Sequence, residues 1–140
     1  MLIIEKKVNL TQKTEKIRVA VDTNMLLAVS QLKLDIVQEV QNKLGKVEMY
    51  VPALVRKELE KLGKEGNSHA RVAALWLQLQ EFKELEVWGE KSTDKALLAL
   101  AKEGFIIATN DKELRQSIKN IQGKSIYIRK KKVLEFSAEF

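Results

Sequence analysis

Four acidic residues lie at or just after the ends of predicted strands, where a parallel sheet brings distant parts of a chain together. They are Asp22, Glu58, Asp94 and Asp111. Asp22 ends the short run 18–21 and Asp111 follows the apolar run 105–109, while the other two are expected in first turns of helices that follow strands. Open parallel sheets bind ligands at the carboxyl ends of their strands. Carboxylates gathered there repel one another unless a cation holds them together, so the sequence predicts a divalent-metal site.

Each acid also has a simpler interpretation as part of a helix start. Asp22 or Asp111 would cap the helix that follows it, and Asp94 would lie favourably in the first turn of its helix. Glu58 lies in the charged stretch 56–61, where a solvated side chain is ordinary. Capping explains each residue alone, but it does not explain four acids converging at one edge.

The predicted chemistry is metal-assisted hydrolysis of a phosphodiester, without a covalent nucleophile from the protein. Carboxylate oxygens suit Mg²⁺ or Mn²⁺. Such an ion lowers the pKa of a bound water and stabilises charge on a scissile phosphate.

Composition narrows the class of protein. The chain has 140 residues, a net charge of +6, a pI near 9.5 and no cysteine, which excludes disulfides and thiolate metal sites. A single histidine, His69, cannot form a histidine-based zinc site. The basic charge alone is explained equally well by solubility or by a nucleic-acid partner, and its combination with an acidic cleft favours nucleic acid. The first apolar stretch is too short for a signal peptide and no run approaches the ~20 residues of a membrane span, so we expect a soluble, cytoplasmic protein without a membrane partner.

Alternating strands and helices predict an α/β fold, with a mainly parallel central sheet covered by helices on both faces. Strands are predicted at 18–21, 47–51, 85–88, 105–109 and 126–128. Helices are predicted around 36–44, from Pro52 to about 62, at 68–82, 93–102 and around 114–121, with a helix or turn after Asp22. Residues 1–17 are expected to form an N-terminal arm or strand, and 18–140 are expected to form one domain with a basic C-terminal strand and tail. The apolar residues around helix 68–82 favour a homodimer. Trp76 and Trp88 are expected in the core or an interface rather than as platforms on which bases stack.

Four blocks of the chain resemble the signature blocks of PIN-domain nucleases. They are Val21–Leu27, Val51–Leu59, Thr93–Leu98 and Ala108–Arg115. The resemblance covers about residues 18–132. With the segment 127–132, the last block is especially similar to the ribosomal-RNA-processing branch and its archaeal relatives, and less similar to VapC-type toxins. A departure is Lys95, where relatives often carry a second acid.

The resemblance implies a three-layer sandwich and a Mg²⁺- or Mn²⁺-dependent endoribonuclease. Asp22, Glu58, Asp94 and Asp111 would be its metal-binding and catalytic acids, with Asn24 and Thr109 as polar support. Basic residues near helix starts and in the tail are candidates for binding structured or ribosomal RNA: Arg56, Lys57, Arg115, Arg129, Lys130, Lys131 and Lys132. The alternatives are a toxin ribonuclease with an antitoxin partner, and a non-cleaving PIN scaffold that binds RNA or a ribosome-assembly partner.

Overall fold

The computed structural model describes residues 16–129 and the backbone of 133–136. Its strands are β1 Ile17–Val21, β2 Val47–Pro52, β3 Phe82–Leu85, β4 Ile106–Ala108, β5 Lys124–Arg129 and β6 Val133–Phe136. Its helices are α1 Thr23–Leu32, α2 Ile36–Leu44, α3 Ala53–Lys64, α4 Ser68–Gln78, α5 Thr93–Lys102 and α6 Lys112–Asn120. All six strands join one sheet in the order β3-β2-β1-β4-β5-β6.

The sheet is parallel from β3 to β5, and β6 is added antiparallel to β5. The order reverses at β1, which lies between β2 and β4. In doubly wound sheets the crevice for a ligand lies at this reversal, outside the carboxyl ends of the strands. Asp22 is the residue that follows β1, so the fold places it at this point.

Two apolar layers cover the sheet, which confirms the predicted α/β sandwich. Successive side chains of a strand point to opposite faces. Val19 and Val21 of β1 therefore pack with residues of α1 to α4, whereas Ala20 packs with residues of α5 and α6. The short, apolar β1 and β4 are buried on both faces, as central parallel strands are.

The third strand lies three residues earlier than predicted, at Phe82–Leu85 rather than 85–88. The predicted helix 68–82 is correspondingly too long, because α4 ends at Gln78. Phe82 packs edge-to-face against Trp76, with ring centroids 5.9 Å apart. The polar residues within this edge strand hid it from the apolar pattern. Trp76, which was expected in the core or an interface, is partly buried and packs against the main apolar cluster.

Two smaller predictions are also corrected. Pro52 is the N-cap of α3 rather than its first helical residue. Glu58 is the sixth residue of α3, so it lies in the second turn of the helix and not in the first. Trp88, predicted in the core or an interface, is 56% exposed on a turn after β3, so the core prediction is wrong. The strand-like alternation that runs into Trp88 ends in this turn.

Helix α4 buries one face and exposes the other. Ala70, Ala73 and Leu77 are buried, whereas Val72 and Leu75, with Leu79 just after the helix, are exposed. The homodimer stays a prediction. Most of the predicted N-terminal arm, residues 1–15, and the tail residues 137–140 lie outside the described residues. In the part of the chain that is described, no helix is both long and apolar enough to cross a membrane.

Candidate active site

Asp22 joins the two central strands where they end. Its backbone N–H donates to the carbonyl of Ala108, the last residue of β4, at 3.0 Å. Its carboxylate caps α1, with Oδ1 accepting a hydrogen bond from the backbone N–H of Thr23 at 2.7 Å. A negative side chain is favourable at a helix start. The capping interpretation of Asp22 is therefore correct, but it accounts for only one of the two carboxylate oxygens.

Thr109 holds the second oxygen of Asp22. This threonine follows β4 and is completely buried. Its hydroxyl donates to Asp22 Oδ2 at 2.7 Å and accepts from the backbone N–H of Asp111 at 3.1 Å. Thr109 thereby fixes the orientation of one acid and the backbone position of another, in the supporting place that the resemblance implied.

Asp111 caps α6 through Oδ1, which accepts from the backbone N–H of Leu114 at 3.1 Å. The neighbouring Asn110 was not singled out from the sequence. Its Oδ1 accepts from the backbone N–H of Ile128 at 2.8 Å, which ties the loop after β4 to β5. Asp111 therefore has the predicted capping role. It also lies near Asp22, because Thr109 is hydrogen-bonded to both residues.

Glu58 reaches the site from α3 through Thr23. The hydroxyl of Thr23 donates a short hydrogen bond to Glu58 Oε1, although 35 residues separate the two. Thr23 is buried, whereas Glu58 is exposed. Sequence reasoning treated Thr23 only as part of a helix start. Its position directly after Asp22 is the signal that could have identified it.

Asp94 completes the group from the first turn of α5, which Ser92 caps. Partial burial raises the pKa of Asp94, and the negative charges of Asp111, Glu58 and Glu113 raise it further. Glu113, in the first turn of α6, is an additional acid that sequence reasoning missed. The signal that could have identified Glu113 is its position two residues after Asp111, at the start of the same helix.

Asp22 is the acid most removed from solvent, with 5% of its surface exposed. Burial raises the pKa of its carboxyl, and this effect outweighs the hydrogen bonds from Thr109 and Thr23, which lower it. The charges of Asp94 and Glu58 raise it further. The structure therefore brings all four predicted acids into one electrostatically coupled group, supplied by β1, α3, α5 and the loop before α6.

The donor set of this group fits a hard divalent cation. All the side chains are carboxylates, and among the described residues no lysine or arginine forms an ion pair with any of the four. As they are arranged, however, no three acidic or histidine side chains in 16–129 are gathered closely enough to hold an ion. Like charges repel one another at close range, which is consistent with this spacing.

The predicted basic residues differ in their surroundings. Arg56 is engaged by Glu84 and Glu60, with Nη1 2.9 Å from Glu60 Oε1, so its charge is already paired. Arg115 stacks on Tyr127, with the guanidinium carbon 3.8 Å from the ring centroid.

Lys57 and Arg129 are exposed, as is Asn24 beside Thr23 in the first turn of α1. Lys130, Lys131 and Lys132 lie outside the described residues.

Comparisons with known proteins agree on one family. Residues 19–131 match the family model described as a PIN like domain. The chain is 38% identical over 110 residues to ribonuclease VapC9 of Archaeoglobus fulgidus, covering 76% of this chain and 80% of the relative. It is 29% identical over 125 residues to ribonuclease VapC4 of Methanocaldococcus jannaschii, covering 84% and 95%. The solved structure of the PIN domain endonuclease Utp24 superimposes with a TM-score of 0.74 at 26% identity, covering 86% of this chain and 90% of that one.

Proposed function

The chain belongs to the PIN-like domain family, and from that premise we propose that it is a divalent-metal-dependent endoribonuclease that hydrolyses phosphodiester bonds in RNA. The observation that carries the proposal is the buried Asp22 carboxylate, fixed by two hydrogen bonds and facing the charges of Glu58 and Asp94. A carboxylate removed from water is costly unless it is compensated. A group that burial and like charges perturb in this way is a functional-site candidate.

The metal is held, in this proposal, by Asp22, Glu58, Asp94 and Asp111, and the negative charge of Glu113 acts on Asp94 as well. Mg²⁺ and Mn²⁺ are the proposed ions, since both prefer oxygen ligands. A bound ion of this kind supplies charge stabilisation at a phosphate and makes water a nucleophile at neutral pH.

The protein's own contribution is to hold the carboxylates of Asp22 and Glu58 in place before RNA arrives. Thr109 and the N–H of Thr23 fix both oxygens of Asp22, and the Thr23 hydroxyl holds Glu58. Preorganised groups lose little freedom at the moment of reaction, which is how a positioned site accelerates it. No serine or cysteine is required as a covalent nucleophile.

Cleavage of a generic single-stranded RNA in Mn²⁺ and in EDTA tests the activity. We expect wild type to cut in Mn²⁺ only, and Asp22→Asn to lose most of the rate. Glu60→Gln is a matched control, because Glu60 lies on α3 like Glu58 but pairs with Arg56. Equal cleavage by wild type and Asp22→Asn would refute the proposal. Metal-independent RNA binding without cleavage would favour the non-cleaving scaffold instead.

Two biological settings follow from the likenesses. Processing of ribosomal RNA is the first, supported by the similarity of residues 108–115 and 127–132 to that branch of the family. A toxin ribonuclease is the second, favoured by the 38% identity to ribonuclease VapC9. Expression in a host separates them: growth arrest relieved by a neighbouring gene product supports the toxin. Accumulation of an unprocessed ribosomal RNA on depletion supports the first.

A further inference from the structure

Trp88 is displayed at the corner of a tight turn between β3 and α5. The backbone N–H of Glu90 donates to the carbonyl of Val87 at 3.4 Å, and Gly89 has φ of 81°. A positive φ of this size at the third position is characteristic of a type II turn, which places Trp88 at the second position. Its side chain is 56% exposed. A large aromatic ring is therefore held in solvent on a fixed backbone.

Trp88 is one of the residues that line a cleft of about 240 Å³. Leu54 of α3, Val87 of the turn and Ala96 of α5 contribute apolar surface to the same cleft. Sites for drug-sized ligands are generally larger, from about 300 Å³ upward. The cleft thus suits one flat ring system beside the indole.

The cleft is lined by residues of α3 and α5, two of the helices that carry the acidic group. Lys57 lines it and directly precedes Glu58 on α3, while Ala96 lies two residues after Asp94 on α5. A ligand in the cleft therefore contacts the two helices that carry Glu58 and Asp94.

The rim of the cleft is polar and carries both signs of charge. Glu86 and Glu90 line it together with Lys57. The carboxylates repel phosphate but accept hydrogen bonds from the amino groups of bases, as acidic side chains do from cytosine N4. The lysine attracts a backbone phosphate. This combination matches a nucleotide entering with its base inward.

We propose that this cleft is a subsite for one unpaired nucleobase of the RNA strand, next to the bond that is cut. Trp88 stacks on the base, Lys57 binds the adjoining phosphate, and the two glutamates favour adenine, cytosine or guanine over uracil, which has no amino group. The inference rests on the proposed ribonuclease function. A protein partner fits the cleft less well, because the exposed indole is ringed by charges. The other large apolar side chains that are exposed in the described residues lie on α4 or directly after it.

Fluorescence tests the subsite without any cleavage. The chain has two tryptophans, so Trp76→Phe leaves Trp88 as the only indole. In EDTA at low salt, we expect the oligoribonucleotides A5 and C5 to quench this emission saturably, and U5 to bind more weakly. Independently of the Trp76→Phe variant, fluorescence anisotropy of labelled A5 should report binding about 5- to 150-fold weaker for Trp88→Ala, the range that corresponds to one lost stacked base. Trp88→Phe should restore much of the binding.

Leu79→Ala is the matched control, since Leu79 is exposed and apolar but outside the cleft, and it should bind A5 like wild type. Absence of quenching, or equal affinity of Trp88→Ala and Leu79→Ala, would overturn the subsite even if wild type cleaves RNA. So would loss of self-association in Trp88→Ala with unchanged RNA affinity. Quenching by A5 in a protein that cuts no RNA would support the subsite and refute the proposed ribonuclease activity, so the two failures are distinct.

Discussion

Replacing Thr109 by valine removes the hydroxyl that connects two of the acids while keeping a side chain of similar shape. Thr109 is completely buried, so water cannot take the place of the hydroxyl. Its hydrogen bond to the carboxylate of Asp22 is charge-assisted, and its bond from the N–H of Asp111 is neutral. We expect both a loss of stability and a loss of activity, because the same atom supports the fold and orients the acid.

The size of the stability effect follows from these two bonds. A hydrogen bond to a charged group contributes about 1.5–3 kcal/mol and a neutral one about 0.5–1.5 kcal/mol. The methyl group that valine adds returns about 0.8 kcal/mol of apolar burial. The expected fall in the free energy of unfolding is therefore about 1–4 kcal/mol, a substantial part of the stability of a small domain.

Urea denaturation of wild type, Thr109→Val, Asp22→Asn and the double variant measures this effect at neutral pH in EDTA. The valine should be less harmful in the Asp22→Asn background, where the amide carries no charge, giving a coupling of about 1–2 kcal/mol. Thr109→Ser keeps the hydroxyl and is the control. The reasoning is refuted if Thr109→Val stays within about 0.5 kcal/mol of wild type. An equal cost of the valine in both backgrounds would also refute it.

Three further predictions concern single sites. Asp22→Asn should melt at a higher temperature than wild type in EDTA, because a buried charge is removed. Mn²⁺ should raise the melting temperature of wild type alone. A lower melting temperature of Asp22→Asn than of wild type in EDTA would contradict the burial argument. Burial raises the pKa of Glu48, but hydrogen bonds from Lys83 and Tyr50 and the charges of Lys83 and Lys16 outweigh it and lower the pKa overall. The stability that ionised Glu48 contributes is therefore present above its unfolded pKa near 4.5 and is lost as pH falls through the folded pKa. Glu48→Gln should lower the free energy of unfolding by about 0.2–1 kcal/mol at pH 7 and leave it unchanged in strong acid. Urea denaturation at each pH measures this difference. Gly123→Ala would bring its Cβ to 2.8 Å from Ile118 Cγ2. Because this contact is too close, the substitution should lower the free energy of unfolding by about 1–3 kcal/mol. An unchanged urea midpoint would show that the turn after α6 can shift without cost.

Much of the architecture was predictable because buried parallel strands carry a strong signal in the sequence. The runs that became β1 and β4 are short and apolar, and the helices that follow them start at the capping residues Asp22 and Asp111. These local rules placed the four acids on the correct elements. Parallel pairing then brings the strand ends together whatever the details of the loops.

The edge of the sheet was harder to predict, because an edge strand needs little apolar character. β3 carries Lys83 and Glu84 between Phe82 and Leu85, and the more strand-like residues that follow form the turn of Trp88. The exposure of that indole depends on tertiary packing and on one backbone hydrogen bond, which residue types do not report.

The connections within the site were also beyond sequence reasoning. The bond between Thr23 and Glu58 spans 35 residues, and that between Thr109 and Asp22 spans 87. Such pairs depend on the register of the sheet and the direction of α3. Residue types suggested which acids to consider, whereas the geometry identified the two threonines that hold them.

The position of Mn²⁺ in crystals of the wild-type protein tests the central claim most directly. Anomalous scattering locates the ion independently of any assay. We predict one or more ions at the carboxyl edge of the sheet, with Asp22 as a ligand together with oxygens from Glu58, Asp94 or Asp111. Ions bound elsewhere at saturating Mn²⁺, with Asp22 still held only by Thr23 and Thr109, would contradict the claim that these acids form one metal-dependent site.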